Sequence, residues 1–291
     1  MSDTMFRGMT RDGFIKFSIL SARTIVERAR VIHNASPVVT AALGRALIAT
    51  SILGCDLKDE GSSLTMRISG DGPLGDIIAV SDNLGNVRGW CRNPLEDLPL
   101  RESDGKLDVA GIVGTTGTLS IVRDFGLGEP YTGQIDLVSG EIAEDVTAYL
   151  AVSEQIPSAC ALGVLVDRDY SVKAAGGFVI SLMPGAPEDV VSRLERAVAA
   201  MRPITTCLAD GMDAKAIINA VLSDFDVVFL EESEVAYRCF CSRERVTRAL
   251  VSMGRDELIS LLEEQGKAQI TCQFCDNVYE FDYDDIKALT Q

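Results

Sequence analysis

The chain contains 291 residues with 27 basic and 43 acidic side chains, and its formal net charge is −16. This charge repels phosphate backbones and anionic lipids, so we expect neither a nucleic-acid partner nor a membrane. The eight cysteines are too sparse for a secreted disulfide scaffold, and the first residues contain no apolar segment of the secretory type, so we expect a cytoplasmic protein.

Strand and helix signals alternate irregularly through the first part of the chain. Residues 13–20 and 64–69 alternate as strands do, whereas residues 24–33 have helical spacing. The sequence DIIAV-SDNLGN-VRGWC predicts a hairpin, because turn residues separate two apolar strands. Further strands are expected at TLSIV, QIDLVSG, LGVLVD and GGFVISL, and a helix at EIAEDVTAYLAVSEQ. We therefore predict the α+β class, with a large mixed core domain at residues 1–184 that is rich in glycine turns.

The most apolar segment covers residues 37–54. Ser36 and Pro37 form an N-cap and first-turn pair, and Arg45 interrupts the apolar run. These features predict a buried core helix rather than a membrane span.

The composition changes at residues 183–190, where prolines and a glycine end the strand pattern. A helix follows, and its apolar side chains recur on one face: Val191, Leu194, Val198 and Met201. A second helix, DAKAIINAVLS, begins after Asp213 as its cap, and FDVVFLEESEVAYR reads as extended chain. We predict that residues 185–236 form a helical linker. It should dock reversibly on the core domain, because its apolar faces are too small to form a core of their own.

Four cysteines lie in two short knuckles near the end of the chain, Cys239-x-Cys241 and Cys272-x-x-Cys275. Four thiolates suit the tetrahedral geometry and soft character of Zn²⁺. SRERVTRALVSMG and RDELISLLEEQG predict two helices between the knuckles, and AQITC with NVYEFD predicts a hairpin. Residues 237–291 are therefore predicted to form a small zinc-binding domain whose stability depends on the metal.

The residues alone are compatible with more than one role for this site: a structural zinc site, a redox switch or a nucleic-acid zinc ribbon. A four-cysteine cluster is most often an inert structural zinc site. A redox switch is favoured by Ser242, which can cap a helix directly after the first knuckle. It is also favoured by three neighbouring arginines, because helix amides and arginines stabilise thiolates. These are Arg238, Arg243 and Arg245. A nucleic-acid zinc ribbon is disfavoured, since residues 231–291 contain 7 basic and 13 acidic side chains.

Two glycine motifs suggest nucleotide binding at first sight. GDGPLG, residues 70–75, matches G-x-G-x-x-G, but Pro73 and the following DIIAV predict a turn into a strand rather than a helix. GTTGTLS, residues 114–120, lacks the lysine of a Walker loop. We therefore expect no dinucleotide and no ATP.

Other reactive side chains also favour structural explanations. Glu141, Glu144 and Asp145 follow Ser139 and are interpreted as helix-capping residues. His33 is the only histidine and has no identifiable catalytic partner. The remaining cysteines lie singly in apolar or strand-like contexts and are interpreted as small buried hydrophobes: Cys55, Cys91, Cys160 and Cys207.

Several ordered motifs together resemble one family. They are GDGPLG with GNVRGWCRNP, KLDVAGIVGTTGTLSIVRD, YTGQIDLVSGEIAEDVTAYLAVSEQIPSA, AAGGFVISLMPGA and the two cysteine knuckles. Over almost its whole length the chain resembles the 33 kDa chaperonin family, also called heat-shock protein 33, which are bacterial redox-regulated holdases.

The resemblance implies an ATP-independent chaperone rather than an enzyme. In the reduced, inactive form one Zn²⁺ per chain is expected on Cys239, Cys241, Cys272 and Cys275. The resemblance further implies that oxidation forms the disulfides Cys239–Cys241 and Cys272–Cys275, releases zinc and unfolds the C-terminal domain. Unfolded client proteins would then bind the exposed apolar surface of a homodimer. The alternative is a cytosolic enzyme or nucleic-acid-associated protein with a purely structural zinc site.

Overall fold

The computed structural model describes residues 3–126, 128–253, 268–282 and 284–285. The chain divides into two compact units, Met1–Tyr237 and Arg238–Gln291. Strands and helices are mixed in both units, which confirms the predicted α+β class. The helix predicted at RDELISLLEEQG lies outside the described residues.

The first unit contains most of the secondary structure. Its strands are β1 (Asp3–Thr10), β2 (Ile15–Ser21), β3 (Ser63–Gly70), β4 (Asp76–Asp82), β5 (Val87–Cys91), β6 (Gly117–Asp124), β7 (Tyr131–Asp136), β8 (Ser158–Val166), β9 (Val172–Leu182) and β10 (Val227–Val235). Its helices are α1 (Arg23–His33), α2 (Pro37–Gly54), α3 (Val109–Val113), α4 (Ala143–Val152), α5 (Glu188–Ala199), α6 (Ile204–Ala209) and α7 (Ala214–Val221). The second unit contains α8 (Arg243–Met253), β11 (Ala268–Thr271) and β12 (Val278–Phe281).

The strands of the first unit form two antiparallel sheets of five strands each. The strand order is β10-β1-β2-β9-β8 in the first sheet and β5-β4-β3-β6-β7 in the second. The predicted hairpin is present, with β4 paired to β5. The sequence did not predict β1, which is paired on one side with β2 and on the other with β10.

The α2 helix forms the centre of the first unit's core. It packs against strands of both sheets and is buried along nearly its whole length. Its bounds match the predicted segment, and the Ser36 hydroxyl accepts a hydrogen bond of 3.3 Å from the Val39 amide. Within the described residues it is the one helix long and apolar enough to cross a membrane, and 89% of that window is buried inside the fold. Helix α2 therefore serves as a core helix here.

The helices of residues 185–236 cover one face of the first sheet. Val190 and Leu194 of α5, with Ile217 of α7, share an apolar cluster with Phe17 and Phe178 of the sheet. The Asp213 carboxylate accepts a 2.7 Å hydrogen bond from the Ala216 amide, which confirms the predicted cap. The sequence did not predict α6, which lies between these helices. Reversible release of this segment stays a prediction.

The G-x-G-x-x-G segment is a turn that connects β3 to β4. A Cβ atom at Gly70 would lie 2.0 Å from the Val113 carbonyl oxygen, and one at Gly72 would lie 2.4 Å from that of Ile112. The Gly72 amide donates to the Val113 carbonyl at 3.0 Å. Glycine is needed here because the backbone of the turn contacts the end of α3, which explains the motif without a dinucleotide.

A single buried carboxylate organises the start of α4. Asp145 accepts hydrogen bonds from the backbone amides of Val138, Ser139, Gly140 and Ile142, at distances between 2.7 and 3.3 Å. It supports Ile142, whose φ of 70° is unusual for a β-branched residue. The capping role predicted for Asp145 is thus confirmed.

Glu141 has a different role from the one predicted. It forms ion pairs with Arg45 at 2.5 Å and with Arg101 at 2.6 Å. Helix α4 begins only at Ala143, so this carboxylate precedes the first turn and joins separate segments instead. His33, for its part, has its Nε2 atom 2.9 Å from the Gly89 carbonyl oxygen, which is a structural contact.

Replacing Asp145 by asparagine is expected to lower the free energy of unfolding by about 2–4 kcal/mol, because the new amide group would face backbone N–H donors. Urea unfolding followed by circular dichroism measures the change. The exposed neighbour provides a matched control: Glu144→Gln removes the same charge and should cost less than about 1 kcal/mol. Equal losses in the two variants would contradict the role given to Asp145.

Candidate metal centre

The two cysteine knuckles meet in one cluster. The Sγ atoms of Cys239, Cys241, Cys272 and Cys275 all lie within 4.8 Å of one another. The sulfur atoms of Cys241 and Cys275 are 3.4 Å apart, and those of Cys239 and Cys272 are 3.7 Å apart. All four residues are partly buried and none is in a disulfide. The structure therefore brings together the four residues that the spacing singled out.

Local backbone structure positions each knuckle. The first knuckle directly precedes α8, and the Ser242 hydroxyl accepts a 3.2 Å hydrogen bond from the Arg245 amide as the predicted N-cap. The second knuckle lies in the turn between β11 and β12, which form the predicted hairpin. There the Cys272 carbonyl accepts hydrogen bonds from the amides of Cys275 and Asp276.

The cluster has the dimensions of a tetrahedral metal site. With metal–sulfur bonds of about 2.3 Å, the edges of a tetrahedron of four thiolates measure about 3.8 Å. The two contacts between knuckles, 3.4 and 3.7 Å, are close to this length. Four sulfur donors with no oxygen ligand favour a soft divalent ion over Mg²⁺ or Ca²⁺. The four cysteines could thus hold one metal ion.

Hydrogen bonds at one sulfur change its acidity. The Tyr279 hydroxyl donates to Cys241 Sγ at 3.1 Å, and the Asn277 side-chain amide lies 3.9 Å from the same atom. Burial by itself would raise the pKa of Cys241, but the tyrosine bond and the neighbouring thiols lower it to about 7. The hydrogen bond to Cys241 also raises the pKa of Tyr279 to about 12. Burial raises the pKa of Cys239 and Cys275.

The arginines near the first knuckle differ from the prediction in their contacts. Arg243 donates to the Asp285 carboxylate at 2.6 Å and to the Glu280 carbonyl at 2.8 Å, and it lies 4.3 Å from the centre of the Phe281 ring. Arg238 lies over the ring of Phe240. In the described residues, Tyr279 and Asn277 rather than Arg243 supply polar contacts to a thiol. The residue pattern did not predict the contact of Tyr279, although its position in the hairpin strand after the second knuckle was a usable signal.

The described part of the second unit has a small apolar core. In its described part, the buried apolar side chains are those of Val246, Leu250 and Phe281, with Ile270 and Tyr279 packed against them. Such a core is below what usually stabilises a domain of this size without a metal or disulfide. The sulfur cluster therefore adds a contact between the segment before α8 and the hairpin turn.

The other four cysteines are separate from this cluster. Cys55, Cys91 and Cys207 are buried and Cys160 is partly buried. Burial raises the pKa of Cys55, Cys91 and Cys160 to about 12, as expected for thiols with apolar surroundings. Among the described residues, no second group of three or more potential ligands with this proximity occurs.

The chain combines an α+β unit that contains two five-stranded sheets with a small unit that contains a four-thiol centre. These features define a class of α+β proteins with a separate, small cysteine-cluster unit. The model of the Hsp33 protein family matches residues 3–282. The 33 kDa chaperonin of Desulforamulus reducens is 46% identical over 291 residues, which cover 99% of this chain and 97% of that protein. The 33 kDa chaperonin of Acetivibrio thermocellus is 41% identical, with 100% of this chain and 98% of that protein covered.

A solved structure shows the same similarity. The crystal structure of the 33 kDa chaperonin (heat shock protein 33 homolog) from Thermotoga maritima has a TM-score of 0.92 and 37% sequence identity. The matched region covers 100% of this chain and 98% of the Thermotoga maritima chain. The chain therefore belongs to the Hsp33 family of chaperones, which confirms the resemblance.

Cobalt(II) binding tests the cluster directly. The reduced, metal-free protein titrated with Co²⁺ should develop thiolate-to-cobalt charge-transfer absorption that saturates at one ion per chain, because four sulfurs surround one position. Cys275→Ser should weaken the band strongly. Cys160→Ser removes a thiol outside the cluster and should leave it unchanged. Equal absorption in the two variants would contradict the assignment.

Proposed function

We propose that the chain is a redox-regulated, ATP-independent holdase that binds unfolding proteins and prevents their aggregation under oxidative stress. Its reduced form holds one Zn²⁺ per chain on Cys239, Cys241, Cys272 and Cys275 and is inactive. Oxidation of these four thiols activates it. The observation that carries the proposal is the meeting of four sulfur atoms within 4.8 Å in a unit whose described part has three buried apolar side chains.

The bound ion would supply a tetrahedral cross-link between the knuckles and keep the four sulfurs as thiolates. An oxidant such as hydrogen peroxide changes this bonding. A thiolate attacks one peroxide oxygen, the O–O bond breaks, and a sulfenic acid forms. The second thiol of the same knuckle then attacks that sulfur and expels water. Formation of each disulfide thus transfers two electrons from a pair of thiolates to one peroxide, which takes two protons from the solvent and becomes two water molecules. We assign the pairs Cys239–Cys241 and Cys272–Cys275.

Disulfide formation would remove the thiolate ligands that could hold Zn²⁺, so the protein would no longer bind the ion. Structural Zn²⁺ in small domains contributes about 10–16 kcal/mol of apparent binding energy, much of it as folding energy. Without this energy, the buried apolar side chains that stabilise the described part of the unit would be those of Val246, Leu250 and Phe281. We propose that the domain of residues 237–291 then unfolds and the linker of residues 185–236 loosens from the core domain of residues 1–184.

The loosened linker would uncover apolar surface for clients. The sheet residues under α5 to α7 include Ile15, Phe17 and Phe178, which are fully buried in the packed form. Exposed apolar surface of this kind binds unfolded chains and favours self-association. We therefore propose a homodimer as the active form, located in the cytoplasm, with neither nucleic acid nor membrane as a partner.

A combined oxidation assay tests the switch. Peroxide with mild heat should release about one zinc per chain and make the protein suppress light scattering by an unfolding client, without any nucleotide. The reduced, zinc-bound protein under the same heat is the control and should not protect the client. Protection with zinc still bound would contradict the proposed switch. Substrate turnover in the reduced state, without any gain of protection on oxidation, would favour an enzyme with a structural zinc site.

Removing one knuckle tests the same proposal without an oxidant. A variant with Cys272→Ser and Cys275→Ser should lose tight zinc binding, and its linker should become more sensitive to protease, because two of the four ligands are missing. The single variant Cys160→Ser should resemble the parent protein. If the double variant retains one tightly bound zinc, the ligand assignment fails.

A further inference from the structure

A half-open cavity lies among the helices α5, α6 and α7. Its volume is about 410 Å³, which is within the usual range of small-molecule sites. Its walls are formed largely by aliphatic and thioether side chains, namely Ala197, Ala200, Met201, Ile217, Ala220 and Val221. None of the residues that line it is aromatic, so it offers no stacking surface for a nucleotide base.

Three arginines surround this apolar cavity: Arg193, Arg196 and Arg202. Residues 185–236 contain ten acidic side chains and four basic ones. Three of the four basic side chains line this cavity. Asp224 is the one acidic residue in the lining. In a chain with a net charge of −16, this concentration of guanidinium groups produces a local site for an anion.

Two of the three arginines are held in place by contacts, and the charge of the third is not balanced by an ion pair in the described ranges. Arg193 donates to the backbone carbonyl of Asp224 and lies 4.4 Å from the centre of the Phe225 ring. Arg202 forms a 2.9 Å ion pair with Asp210. Arg196 is exposed and forms no ion pair with any residue in the described ranges. Because each guanidinium has five N–H donors, Arg193 and Arg202 retain donors for a ligand.

We propose that this cavity binds a small amphiphilic carboxylate, with its carboxylate on the arginines and its alkyl chain against the aliphatic wall. Guanidinium groups match the geometry of a carboxylate through paired hydrogen bonds. The aliphatic wall gains free energy when it is removed from water by an alkyl chain. A ligand in this position contacts α5, α6 and α7 together. It therefore stabilises their packed arrangement by mass action, whether or not the proposed redox switch operates.

Calorimetric titration of the reduced, full-length protein with sodium octanoate tests the site, below the micelle-forming concentration. Saturable binding of one octanoate per chain is expected. Hexanoate should bind more weakly because its shorter chain buries less apolar surface, and octyltrimethylammonium should not bind because of its positive charge. Absence of saturable octanoate binding would overturn the proposal. Equal affinities for octanoate and hexanoate would also overturn it, since an anion alone would then be recognised.

A charge-matched pair of variants locates the binding. Arg196→Gln should weaken octanoate binding about fivefold, as expected for loss of one partly exposed ionic contact. Its circular dichroism should be unchanged, because the side chain has no ion pair to lose. Arg168→Gln removes the same charge from an exposed turn between β8 and β9 and should bind octanoate like the parent protein. Equal affinities in the two variants would place the ligand elsewhere and refute the assignment.

Discussion

In the second unit, four cysteine sulfur atoms from two separate knuckles lie within 4.8 Å of one another, and we propose that its fold depends on a metal ion bound there. Its described part has three buried apolar side chains, while the cysteine sulfurs at both ends of the intervening segment lie within 4.8 Å. A metal ion at that position would connect the start of α8 to the hairpin turn directly. In the proposed switch this arrangement makes the unit sensitive to oxidation, because the atoms that would bind the ion are the atoms that peroxide would oxidise.

The first unit has a different basis for its stability. Helix α2 is buried against both sheets, and its own apolar cluster includes side chains from nearly every strand around it. A second cluster forms where α5 to α7 cover the first sheet. The first cluster maintains the fold of the unit. The second cluster covers apolar sheet residues with helices, so its loss would uncover those residues. The proposed activation requires this difference, because the core domain would keep its fold while the linker uncovers apolar surface.

Local signals in the sequence predicted the elements that local interactions determine. The bounds of α2, the Ser36 cap and the Asp213 cap all depend on residues within a few positions of one another, and the structure confirms them. The β4–β5 hairpin is local in the same sense. By contrast, β1 pairs with β10, whose residues are more than two hundred positions away, so no short window could reveal that pairing.

The site shows the same limit. The spacing of the knuckles identified the four cysteines, because ligand spacing is a property of short motifs. The hydrogen bond from Tyr279 to Cys241 depends on the hairpin and on the approach of a distant knuckle. The pairing of Arg243 with Asp285 likewise depends on tertiary contacts. Both lie beyond what adjacent residues indicate, and the arginine prediction was incomplete for that reason.

Hydrogen exchange of the backbone amides tests most directly whether the sulfur cluster maintains the second unit. The account predicts that zinc removal by a chelator and oxidation by peroxide each abolish the protection of α8, while β2 and β9 in the first unit remain protected. Retained protection of α8 after complete zinc removal from the reduced protein would contradict it, because the small apolar core would then suffice without the metal.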